Sequence, residues 1–171
     1  MKLKLNLSIV LLVLLSSCST LTDARKTIAN ASEEVKQGQT LPITAMAKIG
    51  GETIQLEVAS SPEQQGIGLM FRESLGDNRG MLFPFGMERN ARFWMKNVPI
   101  SLDMIFLNGD RIVGIAADVP PCTTEPCPIY GPEALVDNVI ELRGGRAEEL
   151  GIEINNKILI KHLDSLQQQN N

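Results

Sequence analysis

Two glycine-containing dipeptides that separate strand-length apolar runs constrain the fold of this chain most. Gly50-Gly51 follows residues 43–49 and precedes the alternating run Thr53–Val58. Asn108-Gly109 interrupts a second pair of apolar runs within residues 102–117. Such dipeptides favour the tight turns that join antiparallel strands, and alternation with a period of two is typical of half-buried strands. The sequence therefore predicts β-hairpins at both positions.

The remaining elements are further strands and two short helices. The capping-box pattern Ser61-Pro62-Glu63-Gln64 predicts a helix that continues to Met70 or Phe71, and a second helix is expected over Arg146–Leu150, ended by Gly151. Further strands are predicted over Gly80–Phe83, Ala91–Lys96, Val136–Leu142 and Lys157–His162. The expected fold class is mainly β (α+β): a small antiparallel β barrel or sandwich with one or two short helices.

The N-terminus has the pattern of an exported lipoprotein. Lys2 and Lys4 precede the apolar run Ile9–Leu15, which is shorter than the roughly 20 residues of a membrane-spanning helix. Leu15-Ser16-Ser17-Cys18 resembles the site where a bacterial lipoprotein leader is cleaved and the cysteine is acylated, for example with palmitate. We therefore expect lipidation at Cys18 and a location in the cell envelope. The alternatives are an ordinary buried hydrophobic helix and a signal peptide that is cleaved without lipidation. Because Ser19 follows the cysteine, a host with two membranes would carry the protein on its outer membrane, facing the periplasm.

This interpretation divides the chain into four parts. They are a signal peptide (1–17), a flexible tether (18–40), a single β-rich domain (41–163) and a disordered tail (164–171). Loss of Lys2 and Lys4 with the leader leaves 14 basic and 20 acidic residues, a net charge of −6. Nucleic acids are therefore not expected partners, because binding them requires neutralisation of phosphate by cations.

Two cysteines remain once Cys18 is acylated. Cys122 and Cys127 lie in a loop with four prolines between residues 120 and 128. An even number of cysteines outside the cytoplasm indicates a disulfide bond, which here would brace a stiff loop. A redox-active pair and a thiolate metal site are the alternatives.

Several blocks, in a fixed order, carry a resemblance to a known family. They are Gly68–Arg72, Gly80–Phe85, Phe93–Ile100, Leu102-Asp103, Pro121-Cys122, Cys127–Tyr130, Val139–Leu142 and Gly144-Gly145. Together they resemble the bacterial and archaeal family called domain of unknown function 192, over roughly residues 49–160. Asn155-Asn156 departs from the Gly-Asp turn usual in that family. The resemblance implies a compact, mainly β domain that is often exported, and it implies no established activity.

One candidate binding feature is the lone tryptophan of the chain. On a strand over Ala91–Lys96, Trp94 would share a face with Arg92 and Lys96 and could form a flat ligand platform between two cations. Alternatively, Trp94 fills the interior of the β structure or covers a helix, with Arg92 and Lys96 solvated beside it.

A second candidate is a small polar pocket. Asp103 lies in an otherwise apolar strand and needs a partner if it is buried, for which Arg72 or Lys96 is suitable. Asn97 would add hydrogen bonds, and the disulfide loop would bring Tyr130 to the same place. The predicted ligand-binding residues are therefore Arg72, Trp94, Lys96, Asn97, Asp103 and Tyr130. An internal ion pair that only fixes the strand register is the alternative.

The function expected from these features is a non-catalytic, membrane-tethered binding or accessory module for a small polar ligand or an envelope protein. One histidine and no phosphate-binding glycine loop offer little for catalysis, and no cofactor is predicted. Two alternatives stay open. One is a copper-handling lipoprotein that uses Cys122, Cys127 and methionine sulfur. The other is a hydrolase of envelope glycans that uses the carboxylates of Glu73 and Asp103.

Overall fold

A computed structural model describes residues 38–163. Its elements are β1 (Ile43–Ile49), β2 (Glu52–Val58), α1 (Pro62–Ile67), β3 (Arg79–Arg89), β4 (Leu102–Asn108), β5 (Arg111–Val119), β6 (Val136–Arg143), α2 (Arg146–Glu149) and β7 (Leu159–His162). The predicted leader, Cys18 and the predicted tail lie outside the described residues. No helix within residues 38–163 has the length and apolar character needed to cross a membrane.

The strands form one seven-stranded sheet in the order β5-β4-β6-β3-β2-β1-β7. The prediction of a mainly β fold is confirmed, but the sheet is open and mixed. The pairing of β2 with β3 is parallel, whereas the other ladders are antiparallel. A single bridge between Arg111 and Lys157 brings the two ends of the sheet together at one corner.

Apolar side chains cover both faces of the sheet, so the core has two parts. One face, which we call the α2 face, packs around Leu56, Leu82, Ile105 and Ile140 together with Leu150, next to α2. The other face, which we call the loop face, packs Met81, Met104 and Val139 against the segments that connect the strands. The longest of these segments is residues 59–78, which include α1, and residues 90–101 and 120–135 also pack on this face.

The predicted hairpins and helix starts are confirmed. Gly50 and Gly51 join β1 to β2 with φ angles of 57° and 88°, which glycine adopts without steric cost. The Ser61 side chain accepts a hydrogen bond from the Gln64 backbone, as a capping box requires. Helix α1 ends earlier than predicted, however, because Gly68 has a positive φ of 49° and breaks the helical path.

The predicted strand over Ala91–Lys96 is wrong. This segment forms only an isolated bridge, between Phe93 and Tyr130. Its alternation arises because Ala91 and Met95 are buried in the core of the loop face while Arg92 and Trp94 point outward. Packing on one side produces the same sequence pattern as a strand, although no neighbouring strand completes a ladder.

The disulfide loop lies beside this segment. Cys122 and Cys127 are bonded, with their Cα atoms 5.7 Å apart, so the predicted disulfide is present. The Cys122 backbone N–H donates to the Met95 carbonyl at 3.4 Å, and Lys96 Nζ lies 2.8 Å from a carboxylate oxygen of Glu125. The loop thus holds residues 93–96 in place from outside the sheet.

Candidate functional site

A row of four side chains crosses the loop face of the sheet and contains two buried acids. The strand register aligns Glu57 with Met81, Met81 with Glu141, and Glu141 with Met104. Glu57 is fully buried and Glu141 is 4% exposed. Because adjacent strands lie about 4.8 Å apart, the backbones carrying the two acids are about 10 Å apart. The two carboxyl groups have different surroundings.

Glu57 is neutralised by protein groups. Its two carboxylate oxygens each accept a hydrogen bond from Arg72 at 3.1 Å, and one also accepts from the Leu41 backbone at 2.8 Å. Arg79 adds a longer contact at 3.4 Å. Burial raises the pKa of Glu57, but these hydrogen bonds and the charge of Arg72 outweigh it and bring the pKa below its ordinary value. Glu57 is therefore a buried, ionised and internally paired carboxylate.

The end of the predicted tether is attached to this ion pair. Arg72 also donates to the Gln39 carbonyl at 3.0 Å, and the Gln39 side chain donates to the carbonyls of Gln64 and Gly68 at 2.7 and 3.0 Å. The sequence predicts that Gln39 lies in the tether, but the residue is packed against the end of α1. Within the described residues, the domain therefore begins before Leu41.

Asp103 does not pair with Arg72 or Lys96. It lies fully buried on the α2 face, the opposite side of the sheet from Glu57. Its carboxylate accepts from the backbone N–H groups of Asp118, Gly145 and Ala147 at 2.6, 3.1 and 2.5 Å. Ala147 belongs to the first turn of α2, where N–H groups have no partner within the helix. Asp103 thus fixes α2 and the end of β5 to the sheet.

Glu141 is buried without such neutralisation. No hydrogen bond or ion pair within residues 38–163 stabilises its ionised form, and burial raises its pKa from 4.5 to about 8. Glu141 lines a small cavity of about 40 Å³ on the loop face. At neutral pH the side chain is therefore mainly a neutral carboxylic acid, which can donate one hydrogen bond.

Two connecting segments form the walls of this cavity. Gly66, Gly68 and Met70 line it on the α1 side, and Trp94 and Lys96 line it on the other. A hydrogen bond of 2.8 Å from the Phe71 backbone N–H to the Asn97 carbonyl joins the two walls.

Both residues of that joining hydrogen bond have left-handed backbone conformations. The φ angles are 61° for Phe71 and 59° for Asn97. A positive φ is common for asparagine but is a true outlier for a bulky residue such as phenylalanine. Backbone strain is thus concentrated at the point where the two cavity walls meet.

A larger groove adjoins the small cavity. It has a volume of about 410 Å³ and shares Gln65, Gly66, Phe83, Phe93 and Trp94 with the cavity as lining residues. This volume is within the range of small-molecule sites, roughly 300–1,000 Å³. The rest of the lining is Phe85, Arg89, Asn90, Ala91 and Arg92. The Arg89 guanidinium lies 3.7 Å from the centre of the Phe85 ring. The groove therefore combines aromatic surface with cationic side chains.

Trp94 and Lys96 are the predicted site residues that line the Glu141 cavity. Trp94 is 46% exposed, which is inconsistent with its filling an interior, and Lys96 Nζ lies 5.5 Å from the centre of its ring. Asn97 lies nearby, with its side-chain amide 4.0 Å from Met70 Sδ. Tyr130 joins the Phe93 backbone through two hydrogen bonds of 2.8 Å. Arg72 and Asp103 serve the internal contacts described above, so the six predicted residues do not form one pocket.

Glu141 is not among the site residues predicted from the sequence, although the sequence contains a signal for it. It lies in the run Val139-Ile140-Glu141-Leu142, which is as apolar around its acid as the strand that contains Asp103. An acid in such a run must find partners, lose its charge or face a cavity. The same reasoning that selected Asp103 would have selected Glu141.

The described residues offer little for the two alternative functions. No group of three or more histidine, cysteine or acidic side chains within residues 38–163 could hold a metal ion. The cysteines are joined in the disulfide, and Met81, Met95 and Met104 are buried in the core. For hydrolysis, the Asp103 carboxylate is occupied by backbone donors.

A family model matches residues 45–160, nearly all of the described domain. The family is DUF192, described as "Uncharacterized ACR". The chain belongs to the DUF192 family.

Solved structures also resemble this DUF192 chain, among them the following two. One is a candidate transcription regulator from Sinorhizobium meliloti 1021, with 30% sequence identity and a TM-score of 0.64. The match covers 71% of this chain and 97% of the Sinorhizobium chain. The other is a protein of unknown function from Novosphingobium aromaticivorans DSM 12444, with 31% sequence identity and a TM-score of 0.62. This match covers 74% of this chain and 94% of the Novosphingobium chain. No curated protein matches the DUF192 chain.

Proposed function

We propose that this protein is a membrane-tethered lipoprotein of the cell envelope that acts as a non-catalytic binding module. Its ligand is a small molecule, or a polar chain of an envelope partner, held in the groove beside Glu141. The site is centred on Glu141, Trp94 and Lys96. Arg72 and Asp103, which the sequence had suggested as ligand contacts, support the fold instead.

The observation that carries this proposal is a buried acid that opens into a cavity and has no hydrogen-bond or ion-pair partner among residues 38–163. An unpaired buried carboxyl group destabilises a fold, so its presence here needs a reason beyond packing. The adjoining aromatic groove is large enough to hold a ligand whose polar group reaches the acid. A binding site usually combines a concave surface, an acid whose pKa is shifted and a few polar groups.

The tether is proposed from the sequence alone. Leu15-Ser16-Ser17-Cys18 provides the acylation motif, and Ser19 favours the outer membrane in a host with two membranes. A role in transcription, as the name of the Sinorhizobium protein implies, is not proposed, because the processed chain carries a net charge of −6. Metabolic labelling with palmitate should mark the wild type and leave Cys18→Ser unlabelled. Labelling of both proteins, or of neither, would refute the anchor.

Binding can be followed through Trp94, the only tryptophan of the chain. A panel of small amines, carboxylates, alcohols and sugars should include compounds that change its emission saturably and are recovered unaltered. Gly66 offers a blocking variant, because it lines both cavities and a Cβ there would have no heavy atom within 4 Å. Gly66→Leu should abolish the response. Glu63→Leu, at an exposed position of the same helix, is the matched control and should keep it.

Two results would contradict the binding proposal. One is the absence of any saturable response across the panel. The other is a response that persists unchanged in Gly66→Leu, since the ligand would then lie outside the groove. Chemical conversion of a bound compound would contradict the non-catalytic part.

A further inference from the structure

We propose that the cavity over Glu141 receives the primary ammonium group of an amine ligand whose apolar body lies on the aromatic wall. This inference deepens the proposed function and rests on it, because it specifies the chemical class that the groove binds. It follows from three properties of the cavity: its missing donors, its size and its aromatic lining.

The missing donors are the first property. The Glu141 carboxyl group has no hydrogen-bond donor within residues 38–163. Among the described residues that line the small cavity, Lys96 is the only cation, and its Nζ is engaged by Glu125 at 2.8 Å. A ligand must therefore supply both hydrogen-bond donors and positive charge if the carboxylate is to be ionised there. An ammonium group supplies three donors and one charge.

The size of the cavity is the second property. A site needs roughly 10–15 Å³ of this kind of volume to hold one water molecule. The cavity measures about 40 Å³, which suits a group as small as –NH₃⁺ with a short methylene stem. A bulkier cationic head such as a quaternary ammonium would not enter without moving a wall.

The aromatic lining is the third property. Phe83, Phe93 and Trp94 line both the small cavity and the larger groove. Aromatic faces attract cations, and they do so more strongly where water is excluded. The same rings can pack against an apolar ligand body that extends into the groove. Arg89 and Arg92 beside the groove would disfavour a second positive charge on the ligand and favour an acidic one.

Binding of an ammonium group should release a proton. In the free protein at pH 7, Glu141 is mostly protonated because its pKa is about 8. When the ligand ammonium forms an ion pair with it, the carboxyl proton passes to solvent and the ammonium keeps its own protons. The expected release at pH 7 is about 0.9 proton for each amine bound. A neutral or anionic ligand group would instead leave the proton on Glu141.

The test uses three probes that share one aromatic body: 2-phenylethylamine, 2-phenylethanol and 3-phenylpropionate. Calorimetry of the full chain at pH 7, in buffers with different ionisation enthalpies, measures affinity and proton release together. We expect the amine to bind at least tenfold more tightly than the alcohol and to release close to one proton. Glu141→Gln should lose the proton release and at least tenfold in amine affinity, while alcohol affinity changes little. Glu63→Leu should behave as the wild type in both respects.

The outcomes separate this inference from the proposed function. If the alcohol or the carboxylate binds as tightly as the amine, or if amine binding releases no proton, the ammonium assignment is wrong and the binding module stands. If none of the three probes binds although a compound of the wider panel without an amino group changes Trp94 emission, the assignment is again wrong. If no compound of that panel binds either, both fail.

Discussion

Replacement of Glu141 by glutamine should stabilise the protein at neutral pH. Glutamine has nearly the same shape as glutamic acid but cannot ionise. In the wild type, the folded state holds the Glu141 proton up to a pH of about 8, whereas the unfolded chain releases it near pH 4.5. Between these values the unfolded state binds fewer protons than the folded state, so the free energy of unfolding falls as the pH rises.

The magnitude follows from the two pKa values of Glu141. Each pH unit between them lowers the free energy of unfolding by about 1.4 kcal/mol. The penalty is absent below pH 4.5, grows to about 3 kcal/mol at pH 7, and becomes constant above about pH 8. Glu141→Gln removes it, so the variant should match the wild type at pH 4 and exceed it by up to about 3 kcal/mol at pH 7.

Urea denaturation followed by Trp94 emission, at five pH values from 4 to 8.5, measures this difference. Glu52→Gln, at an exposed position on β2, is the matched control for the loss of one negative charge. The reasoning is refuted if Glu141→Gln is less stable than the wild type at pH 7, because the carboxylate would then have a favourable partner. It is also refuted if the stability difference does not change with pH.

Three further changes test the supporting contacts. Arg72→Met should destabilise the fold by about 3–5 kcal/mol, because it leaves the fully buried Glu57 without its main partner. In thermal melts, the double variant that adds Glu57→Gln should recover part of this loss. Asp103→Ala should lower the free energy of unfolding by at least about 2 kcal/mol, because it removes the acceptor of three backbone N–H groups. Faster hydrogen exchange confined to the start of α2 and the end of β5 would support this expectation. An unchanged exchange rate there would contradict it. Reduction of Cys122–Cys127 should lower the free energy of unfolding by about 2 kcal/mol, the chain-entropy value for so short a ring, and identical urea midpoints with and without reductant would disprove a stabilising role.

Local turn chemistry is the reason that the hairpins could be predicted. Gly50-Gly51 can adopt the positive φ angles that a tight turn requires, and the pairing of β1 with β2 follows from that turn alone. The parallel pairing of β2 with β3 has no such local origin. Residues 59–78 lie between these strands, and their return across the loop face depends on tertiary contacts. Two of these are the bonds from the Gln65 side chain to the carbonyls of Ala59 and Pro84.

The candidate site was less predictable because three similar signals have three different outcomes. Glu57, Asp103 and Glu141 are all acids in apolar strands, and all three are buried. Arg72 neutralises Glu57, and backbone N–H groups around α2 donate hydrogen bonds to Asp103. Glu141 lines a cavity instead. In each case the deciding group comes from a distant part of the chain. A strand pattern therefore indicates that such an acid has a special environment without revealing which one.

The contrast between Glu57 and Glu141 gives the strongest reason to assign Glu141 to a ligand. The two acids lie in one row of the sheet, separated only by Met81, and are buried to nearly the same extent. At Glu57 the fold provides an arginine and a backbone donor, and the pKa is lowered. At Glu141 it provides a cavity, and the pKa is raised to about 8. Since the same layer of the protein can neutralise a buried acid, the cavity at Glu141 is not a consequence of burial alone. A ligand that supplies the missing charge and donors would complete at Glu141 what Arg72 completes at Glu57.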